Sequence, residues 1–337
     1  MRTRILLLSA IVASACSSNP PAGDDAAVNP DANPIDATPN DATPPDGGAS
    51  GWRTEPALPV ALQEIAAVAY RGQVWVIGGF EGLDVVSTVR IFAPATGTWR
   101  TGPPLPAPRH HLAVAVHDGD LYALGGMETL AFAPLDTAWV LRADSDAWQD
   151  ITPLPLTRGA GAAVTAGDRI VLVGGNEARG GLATQTLVYI PADDRWQLGA
   201  AIPSPREHLA AAAVDGAVWA VGGRRNSLSS NRTEVEIYDV DMDRWTDGPA
   251  LPSARGGFTA SRLGRRLIVV GGEEPGSALA TVDAYDLDAG VWSALPTLNT
   301  ARHGHGAVSL DGVLYIVGGG DAPNFAPVDV VESLRLP

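Results

Sequence analysis

Carboxylate, imidazole and guanidinium side chains recur in this chain at two fixed register positions, and it is their types rather than a local motif that suggest chemistry. Two residues after a recurring arginine the chain reads Glu64, His111, Ala160, His208, Gly257 and Gly304, and just after a recurring Gly-Gly pair it reads Phe80, Met127, Asn176, Arg224, Glu273 and Gly320. A position that serves a scaffold repeats, whereas a ligand surface need not, so both sets are expected at one polar rim. Glu64, Glu273, His111 and His208 are the groups there that could exchange protons with a bound molecule, provided their pKa values lie near the working pH. Together with Asn176 and the Arg224-Arg225 pair they also suit recognition of a carbohydrate or an acidic peptide. We therefore take Glu64, His111, Asn176, His208, Arg224 and Glu273 as candidate ligand-binding residues, and no spacing marks any of them as catalytic.

Other signals are weaker. Asp239, Asp241 and Asp243 alternate like the start of a calcium loop, but Arg244 stands where glycine is needed and Ala250 where a bidentate glutamate is needed. An acidic turn is the better reading, and similar turns recur at Asp144/Asp146, Asp193/Asp194 and Asp286/Asp288. His303 and His305 would fall on one side of a strand, yet two ligands do not close a metal site. No metal or other cofactor is expected. Cys16 is the single cysteine, so disulfides, thiolate zinc sites and cysteine nucleophiles are excluded from the folded part.

The elements that must hold these residues are legible from a repeat. Gly-Gly occurs at 78, 125, 174, 222, 271 and 318, with spacings of 47, 49, 48, 49 and 47 residues, a period that marks an array of similar units. Each pair closes an apolar run that reads as a buried strand, such as Val74-Trp75-Val76-Ile77 or Leu267-Ile268-Val269-Val270. Sixteen residues before the first glycine stands Arg109, Arg158, Arg206, Arg255 or Arg302, with Leu62 in the first repeat. Twenty-one to twenty-three residues after it comes Trp99, Trp148, Trp196, Trp245 or Trp292, and seven residues before each tryptophan sits Phe92, Leu141, Tyr189, Tyr238 or Tyr285. Four short strands per repeat make a sheet that cannot bury both faces alone, so the sheets must stack face to face into a closed ring. The glycines are expected to open space that the tryptophans fill, and the arginines to pair with carboxylates or carbonyls of the next unit.

The sixth repeat reaches Pro337 without a tryptophan strand, whereas Trp52 lies 47 residues before Trp99 with no Gly-Gly ahead of it. Residues 51 to 54 are therefore expected beside the strand near 330 to 335. These residues resemble the kelch motif over 51 to 337. The resemblance implies an all-β, six-bladed β-propeller, here closed by an N-terminal strand. It implies no activity, because kelch propellers host binding modules as well as enzymes. Galactose oxidase, associated with this propeller type, needs a tyrosine cross-linked to a cysteine at copper, and the folded part offers no cysteine.

Arg2 and Arg4 precede the apolar stretch from Ile5 to Val12, followed by Ala13-Ser14-Ala15-Cys16, the form of a signal peptide over 1 to 15. Cys16 resembles the lipidated cysteine of a bacterial lipobox, and Ser17 after it would direct the protein to the outer membrane. Residues 16 to 50 read as a disordered tether rich in Pro, Asp and Ala, with seven Pro and six Asp between 17 and 50 and no basic or aromatic residue. Net charge is −15, of which the two Arg and six Asp of residues 1 to 50 carry −4. Nucleic acid is thereby disfavoured as a partner, since no basic stripe exists. The reading is a monomeric, lipid-anchored binding or scaffolding propeller that takes a glycan or a protein at its rim, in the cell envelope. The alternative is a sugar-processing enzyme similar to the sialic-acid mutarotase/epimerase kelch proteins.

Overall fold

A computed structural model describes residues 51 to 336. The expected signal peptide at 1 to 15, the Cys16 lipidation site and the tether at 16 to 50 lie outside the described residues. Among the described residues there are six four-stranded antiparallel sheets, the blades of a β-propeller. The first blade comprises Ala66–Tyr70, Gln73–Ile77, Val89–Ala93 and Thr98–Thr101. The second comprises Ala113–His117, Asp120–Leu124, Ala138–Leu141 and Trp148–Asp150, and the third Ala162–Ala166, Arg169–Val173, Gln185–Ile190 and Arg195–Ala201. The fourth runs Ala210–Val214, Ala217–Val221, Val235–Asp239 and Arg244–Asp247, and the fifth Thr259–Leu263, Arg266–Val270, Val282–Asp286 and Val291–Leu295. In the sixth, Gly306–Leu310, Val313–Val317 and Val331–Arg335 are followed by Arg53–Thr54, which pairs antiparallel with register Arg53↔Ser333 and Thr54↔Glu332.

First strands line the axial channel and carry small side chains because six of them crowd one axis: Ala66, Ala67, Ala113, Ala162, Ala163, Ala210, Ala211, Ala260 and Ala307 face a narrow bore. A Cβ on Gly306 would come within 2.3 Å of the Ala67 Cβ. Second strands are apolar on both faces because blades stack on each side of them. Val74, Trp75, Val76 and Ile77 are all buried, and the corresponding runs before the other Gly-Gly pairs behave alike.

The same main-chain bond recurs at the junctions between blades. In each, the second glycine of the pair donates its N–H to the carbonyl of the next blade's repeat arginine: Gly79 to Arg109 at 2.7 Å, Gly126 to Arg158 at 2.7 Å, Gly175 to Arg206 at 2.9 Å, Gly223 to Arg255 at 2.9 Å and Gly272 to Arg302 at 2.8 Å. Gly319 makes the same bond to Leu62 at 2.8 Å, so the missing arginine costs nothing here. Close approach also explains the glycines. A Cβ on Gly78 would lie 2.2 Å from the Arg109 oxygen, and both glycines have positive φ, +62° and +99°. The space is thus taken by the neighbouring backbone, not by tryptophan as the repeat pattern suggested. Each tryptophan sits instead at the outer edge, packed on its own blade, as in Phe92–Trp99 with centroids 5.0 Å apart and Tyr238–Trp245 at 5.1 Å.

From that edge the indole N–H reaches back to the preceding blade: Trp99 to the Pro56 carbonyl, Trp148 to Pro103, Trp196 to Thr152, Trp245 to Ala200 and Trp292 to Pro249. Trp52 does the same to Pro296 at 2.8 Å, and it is buried. The arginine side chains correct a second expectation, for they pair within their own blade. Arg206 binds Glu236 and the carbonyls of Gly222 and Ala220, Arg302 binds Glu332 and the Val330 carbonyl, and Arg255 binds Asp283 at 2.6 Å. The reason is reach: the guanidinium lies along the end of its own sheet, while its main-chain carbonyl faces the neighbour.

The acidic turns are structural. Asp243, at φ 46°, accepts from the Tyr238 hydroxyl at 2.6 Å and from the Ala200 N–H of the previous blade at 2.6 Å. Asp194 repeats this with Tyr189 and the Thr152 N–H. Burial and the adjacent carboxylate push the Tyr238 and Tyr189 hydroxyls far above their ordinary value.

Candidate functional site

The two variable sets of the sequence meet at one end of the channel for a local reason. In each blade the residue after the repeat arginine position pairs by an isolated antiparallel bridge with the residue after Gly-Gly: Gln63 with Phe80, His110 with Met127, Gly159 with Asn176, Glu207 with Arg224, Gly256 with Glu273 and His303 with Gly320. The next residue then turns into the left-handed region in every blade, with φ of 52° at Glu64, 53° at His111, 54° at Ala160, 50° at His208, 65° at Gly257 and 55° at Gly304. These six residues form a collar round the axis, each linked to the next through the main chain. His111 donates to Glu64, Ala160 to His111, His208 to Ala160, Gly257 to His208 and Gly304 to Gly257, at 2.9 to 3.2 Å, and Ile65 donates back to Gly304 at 3.4 Å.

Above the collar lies a cavity of about 450 Å³, lined by all six candidate residues, Glu64, His111, Asn176, His208, Arg224 and Glu273. The collar separates it from a narrower cavity of about 140 Å³ within the channel, which Glu64, His111 and His208 also touch. Sequence reasoning missed Glu207 and considered His303 only as a strand partner of His305, not as a rim residue. Their signal was present, since the position one residue earlier than the first variable set reads Gln63, His110, Gly159, Glu207, Gly256 and His303 and varies as widely. It also missed Phe132, Phe325, Asn226 and Asn324, which reach the cavity from connections between second and third strands, where the repeat fixes no register.

Charge in the cavity is dense. Arg224 is held between two carboxylates, with Nε 3.1 Å from Glu207 Oε1 and Nη1 on Glu273 Oε1. Glu207 also accepts from the Asn226 N–H at 3.1 Å, and its other oxygen touches His208 Nδ1. Arg225, by contrast, is exposed. His111 Nε2 stands 2.9 Å from His208 Nε2 and 3.1 Å from Glu64 Oε2, while His303 Nε2 lies 3.6 Å from Glu64 and 3.7 Å from Glu273. Burial, then the Arg224 charge, holds His111 down to about 3, and burial with His111 beside it holds His110 at about 4. Burial likewise keeps His208 well below the usual histidine value. These imidazoles are neutral at pH 7, leaving Glu64, Glu207 and Glu273 against a single guanidinium.

The expectation that His303 and His305 share a strand face fails. The first strand of that blade begins at Gly306, and left-handed Gly304 breaks the alternation. His303 turns to the cavity, whereas His305 bonds Thr259 Oγ1 at 2.8 Å below the collar. The three-donor group that does form, Glu64, His111 and His208, has its ligand atoms within 4.8 Å of one another. It is assembled from three blades, so no local motif announced it. Aromatic rings complete the mouth: Phe80 is buried 5.0 Å from Phe325 and 6.3 Å from Phe132, both of which are exposed.

Comparison with known proteins agrees with this architecture. A family model for the KLHDC2/KLHL20/DRC7 kelch-repeats domain matches residues 153–320, and one for the kelch motif matches 64–106 and 108–155. Beta-scruin of Limulus polyphemus is 28% identical over 93 residues, 28% of this chain and 10% of that protein. Kelch-like protein 35 of Mus musculus is 33% identical over 165 residues, 47% of this chain and 26% of that protein. The chain thus spans about a quarter or less of these two relatives. In fold it is similar to the solved structure of YjhT, with TM-score 0.72 and 14% identity, covering 82% of this chain and 95% of that one. Kelch-repeat models thus match these segments of a chain whose described residues form a six-bladed β-propeller.

Proposed function

We propose that this protein is a lipid-anchored binding module of the cell envelope that takes a neutral glycan at the collar mouth. A kelch propeller is a scaffold for binding, and the observation that carries the finer reading is the composition of the 450 Å³ cavity. Three carboxylates face one guanidinium, and burial holds His111 and His208 neutral, so an anionic ligand meets an excess of carboxylate. That disfavours the acidic peptide considered from sequence, and it also disfavours an acidic sugar. Exposed Phe132 and Phe325 beside Asn226 and Asn324 offer apolar faces next to amides, which suits a ring with one C–H face and equatorial hydroxyls. The volume lies within the usual range for small-ligand sites, roughly 300 to 1,000 Å³.

The test is a glycan array with the purified protein, followed by Phe132→Ala and Arg224→Ala. Retention of neutral glycans, weakened about tenfold or more in both variants, supports the reading; retention of acidic glycans alone overturns it. Envelope attachment is supported by the residue pattern around Cys16, and Cys16→Ser should move the protein from the outer-membrane to the soluble fraction. The second reading, proton transfer on a sugar, is favoured by the 3.1 Å Glu64–His111 contact. Turnover in a mutarotation assay that is lost in Glu64→Gln would establish it.

A further inference from the structure

A carboxylate and two imidazoles converge at the collar. The Thr129 carbonyl can only accept, so His110 Nε2, 3.1 Å away, carries a hydrogen and donates it. Neutral His110 then presents a bare Nδ1, to which His111 Nδ1, 2.5 Å away, donates. That leaves His111 Nε2 as a lone pair. On the other side His208 Nδ1 lies against the Glu207 carboxylate, already an acceptor for Arg224 and Asn226, and turns Nε2 toward His111. The two Nε2 atoms face each other at 2.9 Å with the Glu64 carboxylate 3.1 Å from that of His111. One carboxylate oxygen and two imidazole nitrogens this close together form a donor set that a cation can occupy.

We propose that Glu64, His111 and His208 bind a divalent transition-metal ion of the zinc class, with a coordination position open to the mouth cavity. Two of the separations, 2.9 and 3.1 Å, are close to the roughly 3.3 Å between ligands at 2.0 to 2.1 Å from a tetrahedral ion, and the third is within 4.8 Å. The donor set fits as well: two imidazoles and one carboxylate suit zinc and its neighbours rather than calcium or magnesium, and three protein ligands with a fourth site free is the open form of such a centre. His111 has an outer partner, the carbonyl-anchored His110 imidazole, and the Glu207 carboxylate lies against His208 Nδ1. Arg224 does not oppose the ion with a free charge, since Glu207 and Glu273 match it.

The backbone supplies an independent argument. The collar demands a left-handed residue, which Gly257 and Gly304 adopt without strain. Glutamate and histidine there cost about 1 to 2 kcal/mol each, strain of the kind that clusters at functional sites. Gly304 in turn makes room for the ligand, because a Cβ on it would lie 2.6 Å from the Glu64 carboxyl carbon. The proposal goes beyond the glycan reading and does not rest on it.

The test titrates the full-length protein, stripped with a chelator, with zinc and with cobalt(II). One equivalent should bind, cobalt should show the visible d–d bands of a four- or five-coordinate ion, and the melting temperature should rise with metal concentration. His111→Ala and His208→Ala should each weaken binding at least about 100-fold, while His117→Ala, outside the cavity, should not. If either histidine variant loses its circular dichroism, near-isosteric Glu64→Gln replaces it and should weaken binding and shift the cobalt bands. Failure to bind one equivalent, or binding unchanged in the folded variants of this set, overturns the proposal.

Discussion

The repeat arginine shows how one residue's fate depends on its cross-strand surroundings. Where the third strand offers a carboxylate opposite the second, as at Ala220↔Glu236, Ile316↔Glu332 and Val269↔Asp283, the arginine is buried and paired. In the second blade that place is Trp139, opposite Ala123, and Arg109 lies over its ring at 4.6 Å instead. In the first blade it is Arg90, opposite Val76, and the repeat arginine is replaced by Leu62. Two guanidiniums would otherwise share one buried site. Burial lowers the Arg206 and Arg302 guanidiniums below the ordinary arginine value, a penalty their carboxylates offset. Arg206→Ala should therefore cost about 3 to 5 kcal/mol in urea unfolding, because it strands a buried Glu236. The double variant Arg206→Ala/Glu236→Ala should regain part of that loss. Gly79→Ala should cost at least about 2 kcal/mol, since its φ is +99° and the added Cβ meets the Gln63 oxygen at 2.6 Å.

The outer strand of each blade acts as an edge clamp, short and half exposed, yet bonded through its tryptophan to the blade before it. In the sixth blade the clamp comes from Arg53–Thr54, with Trp52 1% exposed and a leucine, Leu334, in its cluster. Removing this indole opens a cavity at a joint between two blades. Trp52→Ala is expected to lose about 3 to 5 kcal/mol and to broaden the thermal transition, whereas Trp99→Ala, half exposed, should lose less. A melting curve for Trp52→Ala that overlays the wild type would show that the strand adds nothing to the ring.

Over the whole molecule, burial of neutral histidine makes stability depend on acid. His305 is buried below the collar, and desolvation, then Arg302 and His303 nearby, holds it well below the usual histidine value. The folded state then binds fewer protons than the unfolded chain once pH falls below about 6.5. Stability is intact above that pH and lost below it, with a slope of up to about 1.4 kcal/mol per pH unit for each such group. His305→Gln should flatten the fall in melting temperature between about pH 6.5 and 5, and an unchanged slope would show that other groups dominate.

Sequence alone was enough to set the number of blades, the place of each strand and the register of the rim, because period and strand alternation are local and each repeat states them again. Six rim residues could be named in advance because they occupy equivalent positions, and the bridge from Gln63 to Phe80 and its five counterparts places equivalent positions at one mouth. Tertiary structure decided what those positions touch. Whether an arginine pairs with its own blade or the next, whether Gly78 makes room for a ring or a carbonyl, and whether Glu64, His111 and His208 share one point are set by distances across blades. Those distances join residues 47 and 97 positions apart, and a chain reports such proximity only after the ring has closed around its axis.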